Sequence, residues 1–244
     1  IGSRGIGKTT TARVLAKALN CEKAKGPTPN PCGECDNCRT IASGNSMDVL
    51  EIDGASNNTV EDVRQLRENV RLVPSRSRYK IYIIDEVHQL STSAFNALLK
   101  TLEEPPEHAV FVLATTEAHK VPATIISRCQ RYDFRRVGMA SLIKLLRQIL
   151  DEEKIKCSDE ALYAIARAAD GGIRDAESIL EQLISYCGKT ITFKDVFDVL
   201  GLVDWKQLER VCAALLDKNI AELLKVVEDI VASGKDLSQF VQDI

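Results

Sequence analysis

From Thr9 to Asn20 apolar residues fall at Ala12, Leu15, Ala16 and Leu19, the spacing of one helical face, and Gly26-Pro27-Thr28-Pro29-Asn30-Pro31 then breaks the chain. Asp48 to Asp53, with Val49, Leu50 and Ile52, reads as a short strand. Thr59-Val60-Glu61-Asp62 has the form of a capping box and predicts a helix carrying Val60, Val63, Leu66 and Val70. Lys80 to Asp85 reads as a buried strand. Ser93 to Glu104 reads as a helix with Phe95, Leu98, Leu99 and Leu102 on one side, stopped by Pro105-Pro106, before the apolar strand Ala109 to Ala114. Arg131 to Phe134 predicts a last short strand. Strands alternating with helices predict a parallel sheet covered on both faces.

Beyond Phe134 the pattern is purely helical. Leu142/Leu145/Leu146/Ile149, Leu162/Ile165/Ala166/Ala169 and Ile179/Leu180/Leu183/Ile184 mark three helices, with Gly171 and Gly188 as stops. A second capping box, Thr192-Phe193-Lys194-Asp195, opens a short helix ending near Gly201. Two amphipathic helices follow, on Leu208/Val211/Cys212/Leu215 and Leu223/Leu224/Val227/Ile230, and a final helix from Asp236 is cut short at Ile244. The first residues read as a loop entering a helix with no strand in front, so a fragment lacking that strand is expected.

Composition narrows the class. Hydrophobic residues are 45% and charged residues 27%, close to globular averages, which excludes disorder as the dominant state. The formal net charge is -3, so nucleic-acid binding would need a local patch rather than an overall field. No run approaches the ~18 apolar residues of a membrane span and no signal segment opens the chain, so a soluble intracellular protein is expected. Of eight cysteines, Cys21, Cys32, Cys35 and Cys38 crowd together while Cys129, Cys157, Cys187 and Cys212 are scattered. That asymmetry favours a metal over disulfides.

Gly2-Ser3-Arg4-Gly5-Ile6-Gly7-Lys8-Thr9 fits G-x-x-x-x-G-K-[ST] at every fixed position and runs straight into a helix. Glycines let backbone N–H groups converge on phosphate oxygens, and the helix N-terminus adds a positive dipole end. Lys8 supplies an ammonium for the β and γ phosphates, and Thr9 a hydroxyl for Mg²⁺. Gly2, Gly5, Ile6, Gly7, Lys8, Thr9 and Thr10 are the expected nucleotide-binding set. The strand Ile81-Tyr82-Ile83-Ile84 ends in Asp85-Glu86, two adjacent carboxylates that can divide labour: Asp85 toward the Mg²⁺ shell, Glu86 toward the water attacking the γ phosphate. A Gly-rich turn that merely caps a helix is the bland alternative, disfavoured by this carboxylate pair.

Cys21-x10-Cys32-x2-Cys35-x2-Cys38 offers four thiolates in a proline-broken loop. They suit a closed structural Zn²⁺ site, an Fe–S centre, or a reduced cluster without metal. His88, His108 and His119 have no ligand spacing and read as surface or core residues. Arg64, Arg67 and Arg71 share a helical stripe that Arg76, Arg78 and Lys80 continue; it could meet a phosphate backbone or be a solvated face beside Glu61 and Glu68.

Nearly end to end, the chain resembles the AAA+ ATPase subunits of bacterial clamp loaders, the DNA polymerase III gamma/tau family. The resemblance rests on Ile84-Asp85-Glu86-Val87-His88, on Asn96-Ala97-Leu98-Leu99-Lys100-Thr101-Leu102-Glu103-Glu104-Pro105-Pro106 and on Leu113-Ala114-Thr115-Thr116. Ser127-Arg128-Cys129 and Gly172-Ile173-Arg174-Asp175-Ala176 extend it, as does the four-cysteine module after the first helix. It implies a RecA-like P-loop AAA+ α/β domain with an inserted zinc module at 21–38 over residues 1–137. A small all-α lid would occupy 138–202, and the start of an all-α collar that holds a ring together 203–244.

The same resemblance implies that Thr116 is sensor 1, that Arg128 is an arginine finger reaching a neighbouring subunit's nucleotide, and that Arg174 is sensor 2. With Lys8, Asp85 and Glu86 these form the expected catalytic set, with ATP, Mg²⁺ and Zn²⁺ as cofactors. The implied partners are delta- and delta-prime-type subunits of a hetero-oligomeric ring, a sliding clamp and primed-template DNA. Polymerase and helicase contacts would lie beyond residue 244. ATP binding would open the clamp, and hydrolysis triggered by primed DNA would release it closed around the duplex. The rival expectations are another AAA+ remodeller such as a branch-migration motor, against which the cysteines and Ser127-Arg128-Cys129 count, and a nucleotide-bound scaffold that hydrolyses nothing, against which intact Lys8, Asp85 and Glu86 count.

Overall fold

The computed structural model describes residues 1–56, 60–201 and 205–232, in two compact units, Ile1–Arg136 and Val137–Ile244. The first unit holds helices α1 (Lys8–Asn20), α2 (Asp36–Ala42), α3 (Val60–Val70), α4 (Thr92–Glu103) and α5 (Ala123–Ile126), with strands β1 (Val49–Asp53), β2 (Lys80–Asp85) and β3 (Ala109–Leu113). The strands form a parallel sheet in the order β1-β2-β3, with Val49 opposite Ile81 and Lys80 opposite Ala109.

Alternation along β2 decides what each face buries. Ile81 and Ile83 point to one side and pack with Ala12 and Ala16 of α1 and Ile41 of α2. Tyr82 and Ile84 point to the other and pack with Leu66 and Val70 of α3 and Phe95 and Leu98 of α4. Both faces are therefore covered, as the alternation of elements predicts, and each fully buried branched side chain contributes about 1.5–3 kcal/mol. Ser91 caps α4 by accepting the N–H of Ala94 at 3.2 Å.

Three features of this unit depart from expectation. Arg131 to Phe134 is not a strand: it lies beside Ile1, with Phe134 N–H donating to Ile1 O at 2.8 Å and the Ile1 amine to Tyr132 O at 2.8 Å, and one residue of partner is too short for a ladder. Gly2 N–H donates to Thr115 O at 3.1 Å, so the chain enters the phosphate loop between the segment after β3 and this extended stretch. The cysteine segment is not all loop, because Cys35 caps α2 and Cys38 lies inside it. The basic run also divides. Lys80 is buried with its ammonium on Asn69 O at 2.9 Å, and the Arg78 guanidinium reaches Leu19 O at 3.3 Å, Cys21 O at 3.0 Å and Ala24 O. Neither joins the exposed stripe, on which Arg64 pairs with Glu61 at 3.3 Å. The capping residue Thr59 lies outside the described residues.

In the second unit, α6 (Met139–Glu153), α7 (Asp159–Ala168), α8 (Ile173–Cys187) and α9 (Phe193–Leu200) surround one core in which Leu142, Leu146, Ile165, Leu183 and Val196 are wholly enclosed. The capping box at Thr192 forms, with Asp195 accepting the Thr192 N–H at 2.8 Å. The unit is not purely helical: β4 (Lys156–Cys157) and β5 (Thr190–Ile191) pair in parallel, where two helix ends bring short extended links side by side.

Helices α10 (Trp205–Leu216) and α11 (Ile220–Ala232) pack on each other. They bury Val211, Ala214 and Val226 and half-bury Leu223 and Val227, so part of the predicted faces is kept, while Cys212, Leu215 and Leu224 of those faces are exposed. The helix expected from Asp236 lies outside the described residues. No helix among the described residues is long and apolar enough to cross a membrane.

Candidate functional site

The loop entering α1 is built to receive an anion. Gly5 and Gly7 take positive φ values of 73° and 90°, which fold the backbone over the helix start, and Gly7 as N-cap contributes no side chain to occupy the first N–H groups. No acidic residue lies in the first turn of α1. Ile6 is buried beneath the loop and Thr10 is exposed beyond it. The Lys8 ammonium bonds Gly2 O at 3.0 Å and Ser3 O at 2.9 Å, so the loop wraps a fixed positive charge.

Two residues separated by 76 positions meet here. The Thr9 hydroxyl donates to Asp85 Oδ2 at 2.7 Å, because α1 lies along β2 and brings its first turn to the strand's carboxyl end. A hydroxyl and a carboxylate at the foot of a phosphate loop are hard oxygen donors of the type Mg²⁺ takes when it also binds phosphate. Asp85 Oδ1 accepts the Glu86 N–H at 2.9 Å.

Glu86 sits in the left-handed region at φ 44°, which turns its carboxylate back across the sheet end. Its Oε2 accepts the Thr116 hydroxyl at 3.1 Å and the Thr116 N–H at 3.3 Å. Thr116 follows β3, so neighbouring strand ends place Asp85, Glu86 and Thr116 together.

Sequence reasoning missed two parts of this arrangement. Gly54 donates its N–H to Asp85 O at 2.8 Å, and a Cβ there would stand 2.6 Å from Glu86 O; a glycine just after a strand was the available signal. His88, read as an ordinary core or surface residue, lies against Glu86, and nothing in its spacing marks it.

Arg128 is half-exposed after α5. Its guanidinium donates to Thr124 O at 2.6 Å and to Glu103 Oε1 at 2.7 Å, which fixes it on the surface of its own unit. Arg174 is exposed in the first turn of α8, in the second unit.

The four cysteine sulfurs lie within 4.8 Å of one another, with Cys21, Cys35 and Cys38 buried. A tetrahedral Zn²⁺ with Zn–S bonds of ~2.3 Å needs sulfurs about 3.8 Å apart, so the cluster fits a four-thiolate metal after a small contraction. Backbone N–H groups of Cys35 and Glu34 hold the Cys32 thiol down at about 6, whereas burial pushes Cys38 up to about 12.

The parallel sheet, phosphate loop and helical second unit define a P-loop protein of the AAA+ fold class. The fold is similar to the RuvB Holliday junction branch migration motor of Thermotoga maritima, at a TM-score of 0.58 and 16% identity over 88% of this chain and 66% of that one. At that identity the likeness concerns the fold alone.

Family models narrow the class. One described as DNA polymerase III, delta subunit, matches residues 1–138. Another, for the ATPase lid domain of the DNA polymerase III clamp loader subunit, matches 142–189, and a third, for domain III of subunits gamma and tau, matches 191–244. DNA polymerase III subunit tau of Bacillus subtilis is 47% identical over 243 residues, covering 100% of this chain and 43% of that protein. Subunit tau of Escherichia coli is 46% identical over 233 residues, covering 96% and 36%. Subunit gamma of Buchnera aphidicola subsp. Acyrthosiphon pisum is 43% identical over 240 residues, covering 98% and 66%. The chain belongs to the DNA polymerase III gamma/tau family of clamp-loader subunits. It spans less than half the length of the two tau relatives.

Proposed function

We propose that this chain is the ATP-hydrolysing part of a replicative clamp-loader subunit, coupling ATP binding and hydrolysis to the loading of a sliding clamp onto primed DNA. The observation that carries the reading is the Thr9–Asp85 contact at 2.7 Å beside Glu86 and Thr116, at the mouth of the phosphate loop. The backbone of Gly2, Gly5, Ile6, Gly7 and Thr10 with the Lys8 ammonium would hold the phosphates. Thr9 and Asp85 would hold Mg²⁺, which neutralises phosphate charge when bound. Glu86 would orient the attacking water, and Thr116 would align it against the γ phosphate. Phosphoryl transfer is catalysed mainly by positioning and charge neutralisation, which is what these groups supply.

Arg128 would complete a neighbouring subunit's site and Arg174 this subunit's own, so hydrolysis would depend on assembly with delta- and delta-prime-type subunits. Cys21, Cys32, Cys35 and Cys38 would hold a structural Zn²⁺. The chain would divide into an AAA+ domain at 1–137, a lid at 138–202 and a collar segment at 203–244, acting in the cytoplasm at the replication fork. If Arg64, Arg67 and Arg71 on α3 meet a DNA backbone rather than form a solvated face, Arg64→Ala with Arg67→Ala lowers primed-DNA affinity and its salt slope.

The test is steady-state ATP hydrolysis by the full-length protein with its partner subunits, comparing no DNA, blunt duplex and primed template, each with and without clamp. Strong stimulation only by clamp with primed template supports the reading. Equal rates in every condition refute clamp loading. A Glu86→Gln variant that binds ATP yet does not turn it over separates an ATPase from a scaffold, for which the change would alter nothing.

A further inference from the structure

The Glu86 carboxylate has a second neighbour besides Thr116. His88 Nδ1 lies 3.3 Å from the same Oε2 and 2.9 Å from the Thr115 hydroxyl, while Nε2 lies 3.1 Å from Glu117 Oε2. The His88 side chain is only 7% exposed, so both ring nitrogens are committed to protein partners rather than to water. The partners come from one segment: Thr115, Thr116 and Glu117 follow β3, and Glu117 N–H closes the turn onto Thr115 Oγ at 3.0 Å. Lys120 holds the far carboxylate at 2.9 Å, which keeps Glu117 charged and fixes the outer end of the row.

Local geometry explains how His88 arrives there. The left-handed residue Glu86 starts a 3₁₀ turn over Val87–Gln89, closed by Gln89 N–H on Glu86 O at 2.9 Å, and this turn swings the side chain two residues later back alongside the carboxylate. The buried Val87 anchors the turn, its N–H on Ala114 O at 3.0 Å.

We infer that His88 is a positioning residue for Glu86, holding the carboxylate that orients the attacking water and tying it to the segment that carries Thr116. The inference rests on the reading of Glu86 given above. Thr116 and His88 share one carboxylate oxygen. When the Thr116 hydroxyl turns to a nucleotide, the contacts left to that oxygen are the Thr116 N–H at 3.3 Å and the imidazole, the one side chain still holding it, which is fixed at its other nitrogen by Glu117. A group held from both ends loses little freedom when its neighbour changes partner, and orientation of a water is sensitive to displacements well below 1 Å.

The geometry separates two substitutions. An asparagine amide reaches the place of Nδ1, facing Glu86, and a glutamine amide the place of Nε2, facing Glu117. In the full-length protein assembled with its partner subunits, clamp and primed template, His88→Ala is expected to lower kcat about 10- to 100-fold with KM and nucleotide affinity within about twofold. His88→Asn should recover most of that loss and His88→Gln little of it. Adding His88→Ala to Glu86→Gln should slow the residual rate no further, since two residues acting as one unit are not additive.

A wild-type kcat for His88→Ala overturns the inference. So does recovery by Asn and Gln that simply follows their melting temperatures, or a loss seen equally in KM. If Glu86→Gln itself hydrolyses at the wild-type rate, the role of Glu86 fails and this inference with it. If Glu86→Gln stops turnover while the three His88 variants leave kcat unchanged, only the positioning role falls.

Discussion

Replacing Gly54 by alanine tests whether the ends of β1 and β2 set the catalytic geometry. The added Cβ would stand 2.6 Å from Glu86 O and 3.0 Å from Asp85 O, against the 3.4 Å at which ordinary contact begins. The shortfall from 3.4 to 2.6 Å is about 0.8 Å, and backbone on both sides leaves no rotamer to absorb it. Gly54 is hydrogen-bonded to Asp85 and β1 is locked in register with β2, with Asp53 opposite Asp85, so the displacement falls on the Asp85–Glu86 peptide. A shift of that size costs about 10²-fold in kcat. The overpacking should also remove about 1–3 kcal/mol of stability. The phosphate loop lies on a different element, so its hold on the phosphates should persist, with any loss of affinity limited to the Mg²⁺ contribution of Asp85. Steady-state hydrolysis by the assembled full-length protein, with nucleotide affinity and thermal melting measured alongside, reads all three quantities. A folded Gly54→Ala variant with kcat within about threefold of the parent would refute this account of how the strand ends place Glu86.

Other perturbations probe separate parts of the structure. Leu146→Ala empties a wholly buried position among α6, α7 and α8 and should cost about 2–5 kcal/mol in denaturant unfolding of the second unit. Cys38→Ser removes one of four clustered thiols and should lower bound zinc, measured after thiol displacement, together with the melting temperature; undiminished metal would exclude Cys38 as a ligand. Asp48→Asn tests a buried carboxylate that accepts the N–H groups of Ser75, Arg76 and Ser77 at 2.7, 2.9 and 2.9 Å. Burial would raise this carboxyl, but the three donors outweigh it and hold it below its ordinary 3.8. Its contribution is therefore complete above the ordinary value and is lost as the pH falls through the depressed one. The stability gap between parent and variant should be about 1–3 kcal/mol at neutral pH and close below about pH 4.

What the sequence made legible was local. The phosphate loop announces itself in eight consecutive residues, and β2 in an unbroken apolar run ending on two carboxylates. What stayed hidden depends on partners far along the chain. Arg78 and Lys80 look like the tail of a basic stripe until α1 and α3 offer them carbonyls. The helix α2 carries Asn37, Cys38, Arg39 and Thr40 where a periodic apolar face would be expected, and it is capped by a cysteine rather than by a hydroxyl or carboxylate residue. His88 acquires a role only because the segment after β3, some thirty residues on, folds against it. On α10 and α11 apolar residues are spread wider than the face that is buried, and the mutual packing selects Val211, Ala214 and Val226 over Cys212, Leu215 and Leu224.

The far end of α1 is joined to the sheet twice. Asn20 exchanges hydrogen bonds with both backbone groups of Tyr79 at 2.9 Å, just before β2, and Arg78 binds the carbonyls of Leu19 and Cys21. Thirteen residues make α1 a rod about 20 Å long, with the phosphate loop at one end and the cysteine module at the other. A rod riveted at one end transmits little motion to that end. If the loop takes up a nucleotide, the rearrangement should therefore be confined to the loop and the first turn, with the cysteine module a foundation rather than a lever. A fluorophore on that module would stay silent through the ATP cycle where one beside Arg4 would not.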